Sequence, residues 1–354
     1  MKILKQLCLV CFSIFTIGAC VPHSNDISSN IREVSSLPSV IEIVRESIVL
    51  ISASKNDDLT IDANQNSLCS GAIVELQYIL TNFHCIYDQK YIRVFFWDEE
   101  DWSEYKVKVI GRDPLADLAL LEIIDPPRVF PSLRFAKELP KNGEDVFAMG
   151  HPMGMTWTVT KGIISSTDRH ARHAFVKALQ TDAAINVGNS GGPLLNMKGE
   201  IVGINTLIIS KVKENAGIGL AIRVDVVRSS FKSMVHSGEV HRPAIGVKIG
   251  LLTSESQIKV IIKEVPELKK EQIPNTYGLI IFPTDNMPEG LKVGDTIIGL
   301  NDTLINNGID LTDSISKYNI GQIVTLTLIR KKRFIKVDVP LKIFEVPVEQ
   351  MYKR

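Results

Sequence analysis

Between residues 47 and 222 the apolar positions fall in short runs of four to eight, not on helical spacing. The runs Ser47–Ser52, Gly71–Val74, Tyr78–Thr81, Tyr91–Phe96, Lys106–Ile110 and Leu118–Ile123 read as strands. So do Asp145–Met149, Thr158–Ile164, Ile201–Ile208 and Gly217–Ile222. Gly111, Asp113-Pro114, Lys141-Asn142-Gly143 and Lys198-Gly199 separate many of them, as turn residues do. Many short strands with such punctuation predict a β-sandwich or barrel, and no βαβ alternation is visible.

A helix is expected over Asp225–His236, capped by Asp225, with Val226, Val227, Phe231, Met234 and Val235 as its apolar side and Gly238 as its stop. After a linker at 237–243 a second, smaller unit begins. Its expected strands are Gly246–Ile249, Lys259–Ile262, Leu279–Phe282, Thr296–Leu300, Ile323–Ile329 and Phe334–Val339, with a helix near Leu311–Lys317. The basic run Arg330–Arg333 reads as a solvated hairpin turn, and the polar tail 346–354 reads as loose.

The N-terminus follows another pattern. Lys2 and Lys5 precede the apolar run Leu7–Ile17, which is too short to span a bilayer and ends in Gly18-Ala19. That is the form of a cleaved export signal, residues 1–19. Ile17-Gly18-Ala19-Cys20 resembles a bacterial lipobox, which makes Cys20 the lipidation site and residues 20–37 a Ser-rich tether. An exported lipoprotein of a bacterial envelope facing the periplasm is expected. Val21 after Cys20 favours the outer membrane.

The whole chain of 354 residues carries 40 basic and 40 acidic side chains, so no net field argues for nucleic acid. Of five cysteines, Cys8 and Cys11 leave with the signal and Cys20 takes the lipid. Cys69 and Cys85 remain, a disulfide candidate in an oxidising compartment. The histidines and cysteines show no metal-ligand spacing, so neither metal nor cofactor is expected.

The chemistry centres on Gly188-Asn189-Ser190-Gly191-Gly192-Pro193. A serine hydroxyl needs an adjacent base, and backbone N–H groups placed where the carbonyl oxygen becomes negative. Gly-x-Ser-x-Gly alone also fits the nucleophile elbow of α/β-hydrolases, or a solvent-facing turn. Chain order separates these readings, because elbow enzymes place Asp and His after Ser. Here His84 follows a strand, Asp117 stands 33 residues later, and Ser190 comes 73 residues after that. Asp113 is a rival acid, but it precedes Pro114 and suits a turn.

Seven motifs in order make residues 39–236 resemble the protease domain of the HtrA/Deg family of trypsin-like serine proteases. They are Thr81-Asn82-Phe83-His84, Ala116–Leu120, Gly150-His151-Pro152-Met153-Gly154, Val159–Ser165, Thr181–Asn186, the Ser190 loop and Gly217–Ile222. The resemblance implies a mostly β fold: a trypsin-like double β-barrel over 38–237 with the triad His84, Asp117 and Ser190 in its cleft. It implies an oxyanion hole from the N–H groups of Gly188 and Ser190, each donor being worth roughly 3–4 kcal/mol of barrier. Ile185 and Ile218 would line an apolar specificity pocket, with Ala184 where trypsin-type enzymes have Asp. Val187 replaces the proline of many relatives, and a loop able to switch its oxyanion hole is expected from that. Cys69 and Cys85 match the disulfide beside the histidine of trypsin-like enzymes, with two buried thiols as the alternative. A homotrimer through Val40–Ile51 is a further implication.

Residues 242–345 resemble a small α+β PDZ domain through Glu289–Asn301 and through Ala244-Ile245-Gly246-Val247, which looks like its carboxylate-binding loop. The implied partners are polypeptide substrates, C-terminal peptides at the PDZ-like domain, and a membrane through the N-terminal lipid. The expected function is a serine endopeptidase acting on unfolded or specifically recognised exported proteins. The alternatives are a silent PDZ-bearing chaperone or scaffold, and an ester hydrolase using the same serine.

Overall fold

The computed structural model describes residues 36–352 apart from 58–65, 98–100, 153–154, 172, 187, 207–216, 253–254 and 265–276. The export signal, Cys20, Val187 and Ile208 lie outside the described residues. Among the described residues no helix is long and apolar enough to cross a membrane.

The first barrel comprises β1 (Ile48–Ser54), β2 (Ser67–Ile73), β3 (Tyr78–Thr81), β4 (Tyr91–Trp97), β5 (Trp102–Asp113) and β6 (Leu118–Ile123), closed in the order β1-β2-β3-β6-β5-β4. The second comprises β7 (Asp145–Gly150), β8 (Thr158–His170), β9 (Lys177–Thr181), β10 (Pro193–Asn196), β11 (Ile201–Asn205) and β12 (Gly219–Arg223), closed as β10-β11-β12-β9-β8-β7. Alternate residues of each strand fill a barrel. Val49, Ile51, Ile73, Ile79, Val94 and Leu121 fill the first, and Val146, Ala148, Ile164, Leu179, Leu194 and Val202 the second. On the side where the barrels meet, opposite-facing residues are buried too: Leu80, Leu118 and Leu120 meet Phe147, Met149 and Leu195 in a third cluster that joins the barrels. Each such side chain contributes roughly 1.5–3 kcal/mol on burial.

Helix α1 (Leu37–Val44) carries Pro38 in its first turn and buries Val40 and Val44, four residues apart on one face. A one-turn helix α2 (Phe83–Ile86) follows β3. Helix α3 (Val224–Ser237) buries Val224, Val227, Phe231 and Met234 against the barrels and ends at Gly238, whose φ of 77° is the left-handed stop expected of it. Its cap differs from expectation. Asp225 makes no N-cap bond. It lies in the first turn and accepts two hydrogen bonds from Arg223, which hold its carboxyl below the usual range.

The second unit is a sheet ordered β14 (Lys248–Leu252), β15 (Gly278–Phe282), β16 (Thr296–Leu300), β18 (Ile323–Arg330) and β19 (Arg333–Pro340), with β17 (Thr303–Leu304) beside β16. Its entry and exit are tied together by β13 (Pro243–Ala244) and β20 (Lys342–Ile343). Helix α5 (Gly308–Ile315) is capped by Asn307, whose side chain accepts from Ile309 and Asp310. Leu311 and Ile315 of that helix close the core over Leu300, Leu326 and Leu328.

Three expectations are corrected here. Lys259–Ile262 is not a strand but part of helix α4 (Glu255–Glu264), because Ile258, Ile261 and Ile262 share one helical face against Leu252 and Ile280. Arg330 is not merely solvated. It reaches back to buried Asp295 at 2.6 and 2.7 Å and to the Gly290 carbonyl, while Lys331 and Lys332 make the turn with φ of 46° and 64°. The tail after 346 is not loose. It forms α6 (Val348–Tyr352), with Tyr352 buried on the protease.

Candidate active site

The β5–β6 turn carries Asp117, fully buried, with φ of 57°, a left-handed conformation that Asp tolerates better than most residues. The carbonyl of Asp117 accepts from the N–H of Phe83 at 3.1 Å and from Asn82 Nδ2 at 2.8 Å. Its carboxylate accepts from the His84 N–H at 2.9 Å and from Thr206 Oγ1 at 2.9 Å. His84 Nδ1 stands 2.7 Å from Asp117 Oδ2. This short contact favours the proton on Nδ1 and leaves the lone pair on Nε2.

Ser190 is placed from the other barrel. Its carbonyl accepts from the Ser70 N–H at 2.9 Å, and the N–H of Gly191 donates to Asn205 at 2.9 Å. Gly191 has φ of 82°, and a Cβ there would lie 2.3 Å from Thr81 Oγ1 and 2.9 Å from the Asn82 nitrogen. The serine turn is therefore pressed onto the strand end that leads into His84, and only glycine permits that approach. Among the described residues His84 Nε2 makes no hydrogen bond to Ser190 Oγ. Its recorded polar contact is Cys85 Sγ at 3.7 Å. Hydroxyl–imidazole contacts of this kind are often long until substrate is bound.

Gly188, with φ of 103°, is held through its carbonyl, which accepts from Ser70 Oγ at 2.7 Å. The same oxygen of Ser70 accepts from the His151 N–H at 2.8 Å. His151 is enclosed between the Ile48 carbonyl and the Trp157 N–H, and burial lowers its pKa to about 4. Ser70 and His151 were not foreseen as site residues. Both stand inside or beside sequence motifs, but Ser70 lies 118 residues from Gly188 and 81 from His151, so no local pattern shows the tie.

Ile185 is buried, and a Cβ on Gly219 would lie 2.5 Å from its Cγ1, so Ile185 and Gly219 form one wall. Ile218 is half-exposed next to it, and the Ala184 carbonyl is held by Thr160 Oγ1 at 2.8 Å. Cys69 and Cys85 are paired, with Cα atoms 6.1 Å apart, one residue beyond His84. The grouping of Cys69, His84 and Cys85 has the proximity of a metal site, but its sulfurs are bonded to each other and not available to an ion.

Asp113, the rival acid, points elsewhere. It is fully buried, accepts from Ser230 Oγ at 2.6 Å, and receives Arg242 of the linker through two bonds of 2.8 and 2.6 Å. The second unit also touches the protease through Lys177–Asp313 at 2.9 Å and Thr312 Oγ1 to the Ala174 carbonyl at 3.3 Å. In the second unit Ile245 is buried, Gly246 has φ of 82°, and β14 follows as an edge strand.

Comparison with known proteins gives two family matches: a trypsin-like peptidase domain over residues 69–204 and a PDZ domain over residues 243–341. The periplasmic serine endoprotease DegP of Escherichia coli (strain K12) is 31% identical over 281 residues, which cover 78% of this chain and 57% of DegP. The chain thus spans little more than half the length of that relative. Protease Do-like 1, chloroplastic, of Arabidopsis thaliana is 34% identical over 301 residues, covering 82% of this chain and 67% of that protein. Among solved structures, the HtrA-type protease AlgW with decapeptide superposes with a TM-score of 0.71 at 25% identity, covering 88% of this chain and 100% of that one. The serine endoprotease from Yersinia pestis gives a TM-score of 0.67 at 28% identity, covering 88% of this chain and 99% of that one.

Proposed function

Since the chain belongs to the DegP/HtrA family of serine endoproteases with a trypsin-like domain and a PDZ domain, we propose that it hydrolyses internal peptide bonds of exported polypeptides through an acyl-enzyme. Ser190 Oγ attacks the scissile carbonyl. His84 Nε2 takes the hydroxyl proton and delivers it to the leaving amine. Asp117 keeps the imidazole oriented and stabilises its cation. The N–H groups of Gly188 and Ser190 receive the oxyanion. Water then repeats the sequence on the acyl-enzyme and frees Ser190.

The observation that carries this reading is the 2.7 Å pair of His84 Nδ1 and Asp117 Oδ2, with the Ser190 turn seated on Thr81-Asn82 two residues away. Motif order and fold oppose the ester hydrolase, and the presence of His84, Asp117 and Ser190 together in the sequence argues against the silent scaffold. Ile185 and Ile218 bound a pocket for Val, Ala or Ile before the cut. Discrimination between such side chains is worth only ~1–3 kcal/mol, so selectivity is loose.

Relatives named periplasmic support an envelope location, and the lipobox at Cys20 supports anchoring there. The loop Ala244–Val247 and the edge of β14 suit capture of a C-terminal peptide as an added strand. That reading is supported by a relative solved with a bound decapeptide. The pairing of Cys69 with Cys85 and a homotrimer through Val40–Ile51 complete the proposal.

The test is labelling of the mature chain with a fluorophosphonate, paired with casein degradation and with peptides carrying Val or Arg before the cut. Wild type should be labelled and should cleave after Val. Ser190→Ala should do neither. Equal casein degradation by both proteins would end the reading, and efficient cleavage after Arg would end the pocket assignment.

A further inference from the structure

The segment that follows the PDZ domain comes back to the protease. Val348 and Met351 of α6 pack on the first-barrel core. The ring of Tyr352 stands edge-on to Phe83, centroids 5.0 Å apart, and tilted against Tyr87 at 5.3 Å. Those two rings belong to the short segment that carries His84. The Tyr352 side chain is buried, and its hydroxyl reaches the Pro114 carbonyl at 2.5 Å and Asp117 Oδ1 at 3.2 Å.

A phenol has one proton to donate, so it cannot serve both acceptors fully at once. Both acceptors lie in the same turn, 114–117, and either bond ties that turn to α6. The turn needs holding, because Asp117 sits at φ of 57° and its carboxylate must meet His84 Nδ1. Asp117 Oδ1, which faces the tyrosine, is also the atom that accepts from the His84 N–H. Aromatic packing alone would explain a phenylalanine at this place. It does not explain a hydroxyl directed at the Pro114 carbonyl and the Asp117 carboxylate of that turn.

We propose that Tyr352 is a positioning residue of the triad. It acts through Asp117, and so makes catalysis depend on docking of the segment beyond the PDZ domain. The inference rests on Ser190 being the nucleophile. Loss of the hydroxyl that ties the 114–117 turn to α6, shared between the Pro114 carbonyl and the Asp117 carboxylate, predicts that Tyr352→Phe lowers kcat about tenfold. KM should stay within about twofold, because no substrate contact is removed.

The experiment is a double-mutant cycle on the full chain, read by the rate of fluorophosphonate labelling and by kcat and KM. The proteins are wild type, Tyr352→Phe, Asp117→Asn and the pair, with Ser190→Ala as blank. The phenylalanine keeps the ring, and its thermal midpoint reports any loss of fold. Tyr352→Phe should slow labelling about tenfold in the wild-type background and leave it unchanged beside Asp117→Asn. An unchanged rate for the single variant overturns the proposal. So does a tenfold loss that persists in full without the Asp117 carboxylate, since that describes a general packing defect. If wild type and Ser190→Ala label alike, the catalytic reading itself falls and this inference with it.

Discussion

The turn that carries Asp117 and the turn that carries Ser190 meet in one cleft but are held by different means. The first is clamped by side chains. Arg242 and Ser230 grip Asp113, Asn82 holds the Asp117 carbonyl, and Thr206 and Tyr352 reach its carboxylate. The second is held largely by main-chain bonds: Ser70 N–H to Ser190, Gly191 N–H to Asn205, Asn205 N–H to Gly192, and Gly192 N–H to Asn189. Among the described residues the buried Oδ1 of Asn189 has no hydrogen-bond partner. In the proposed mechanism the carboxylate stays in one place throughout the cycle, whereas the serine turn admits a carbonyl and reorganises around an oxyanion. Side-chain clamps suit the first task, and glycine-rich backbone suits the second.

The sharpest way to break this comparison is Arg242→Met. It leaves Asp113 buried without its cation, and removing one partner of a buried pair costs roughly 3–5 kcal/mol. Denaturant unfolding should show that loss, with activity at low denaturant falling as the Asp117 turn relaxes. An unchanged midpoint would mean that the clamp is ornamental. Gly191→Ala tests the other turn. A left-handed alanine and its clash with Thr81 and Ser70 should together cost about 2–5 kcal/mol. Fluorophosphonate labelling should vanish while the first barrel keeps its hydrogen-exchange protection. Normal labelling would show that the serine turn does not need the close approach.

The third prediction concerns His151, which supports the serine turn through Ser70. Its folded pKa of about 4 lies below the ordinary value of 6.5, so the unfolded chain binds this proton first as pH falls. Stability from this group is complete above pH 6.5 and is lost as pH drops toward 4, a change on the order of 3 kcal/mol. Unfolding midpoints measured across that window should flatten in His151→Gln. A slope equal to that of wild type would remove His151 from the account.

What was legible in the chain follows the same division. Strands buried at nearly every residue, such as Tyr78–Thr81, Leu118–Ile123 and Thr296–Leu300, have the bounds expected of them. Residues 177–181 and 193–196 were passed over because they are short and lie between motifs, and their pairing partners define them as strands. Helix α1 was hidden by its β-branched composition, and α4 was read as a strand for the same reason. His84, Asp117 and Ser190 were legible because each sits in a motif whose order carries meaning. Ser70, His151 and Tyr352 were not, since each matters through a contact far along the chain, 235 residues away in the last case. No local pattern encodes a bond of that kind.

The closure of both barrels has a further consequence for how the molecule meets other chains. A closed sheet offers no row of unpaired amides on which a stray extended segment could grow, so edge-to-edge pairing is closed off in both barrels. Open borders occur in the smaller sheet. There β19 is guarded by Arg333, Lys336 and Pro340, residues that discourage lateral growth. Its opposite border, β14, lacks a proline and carries Gly250, and it stays open to a visiting strand. Among the described strands of that sheet, the open border is the one that the proposed peptide-binding role would use.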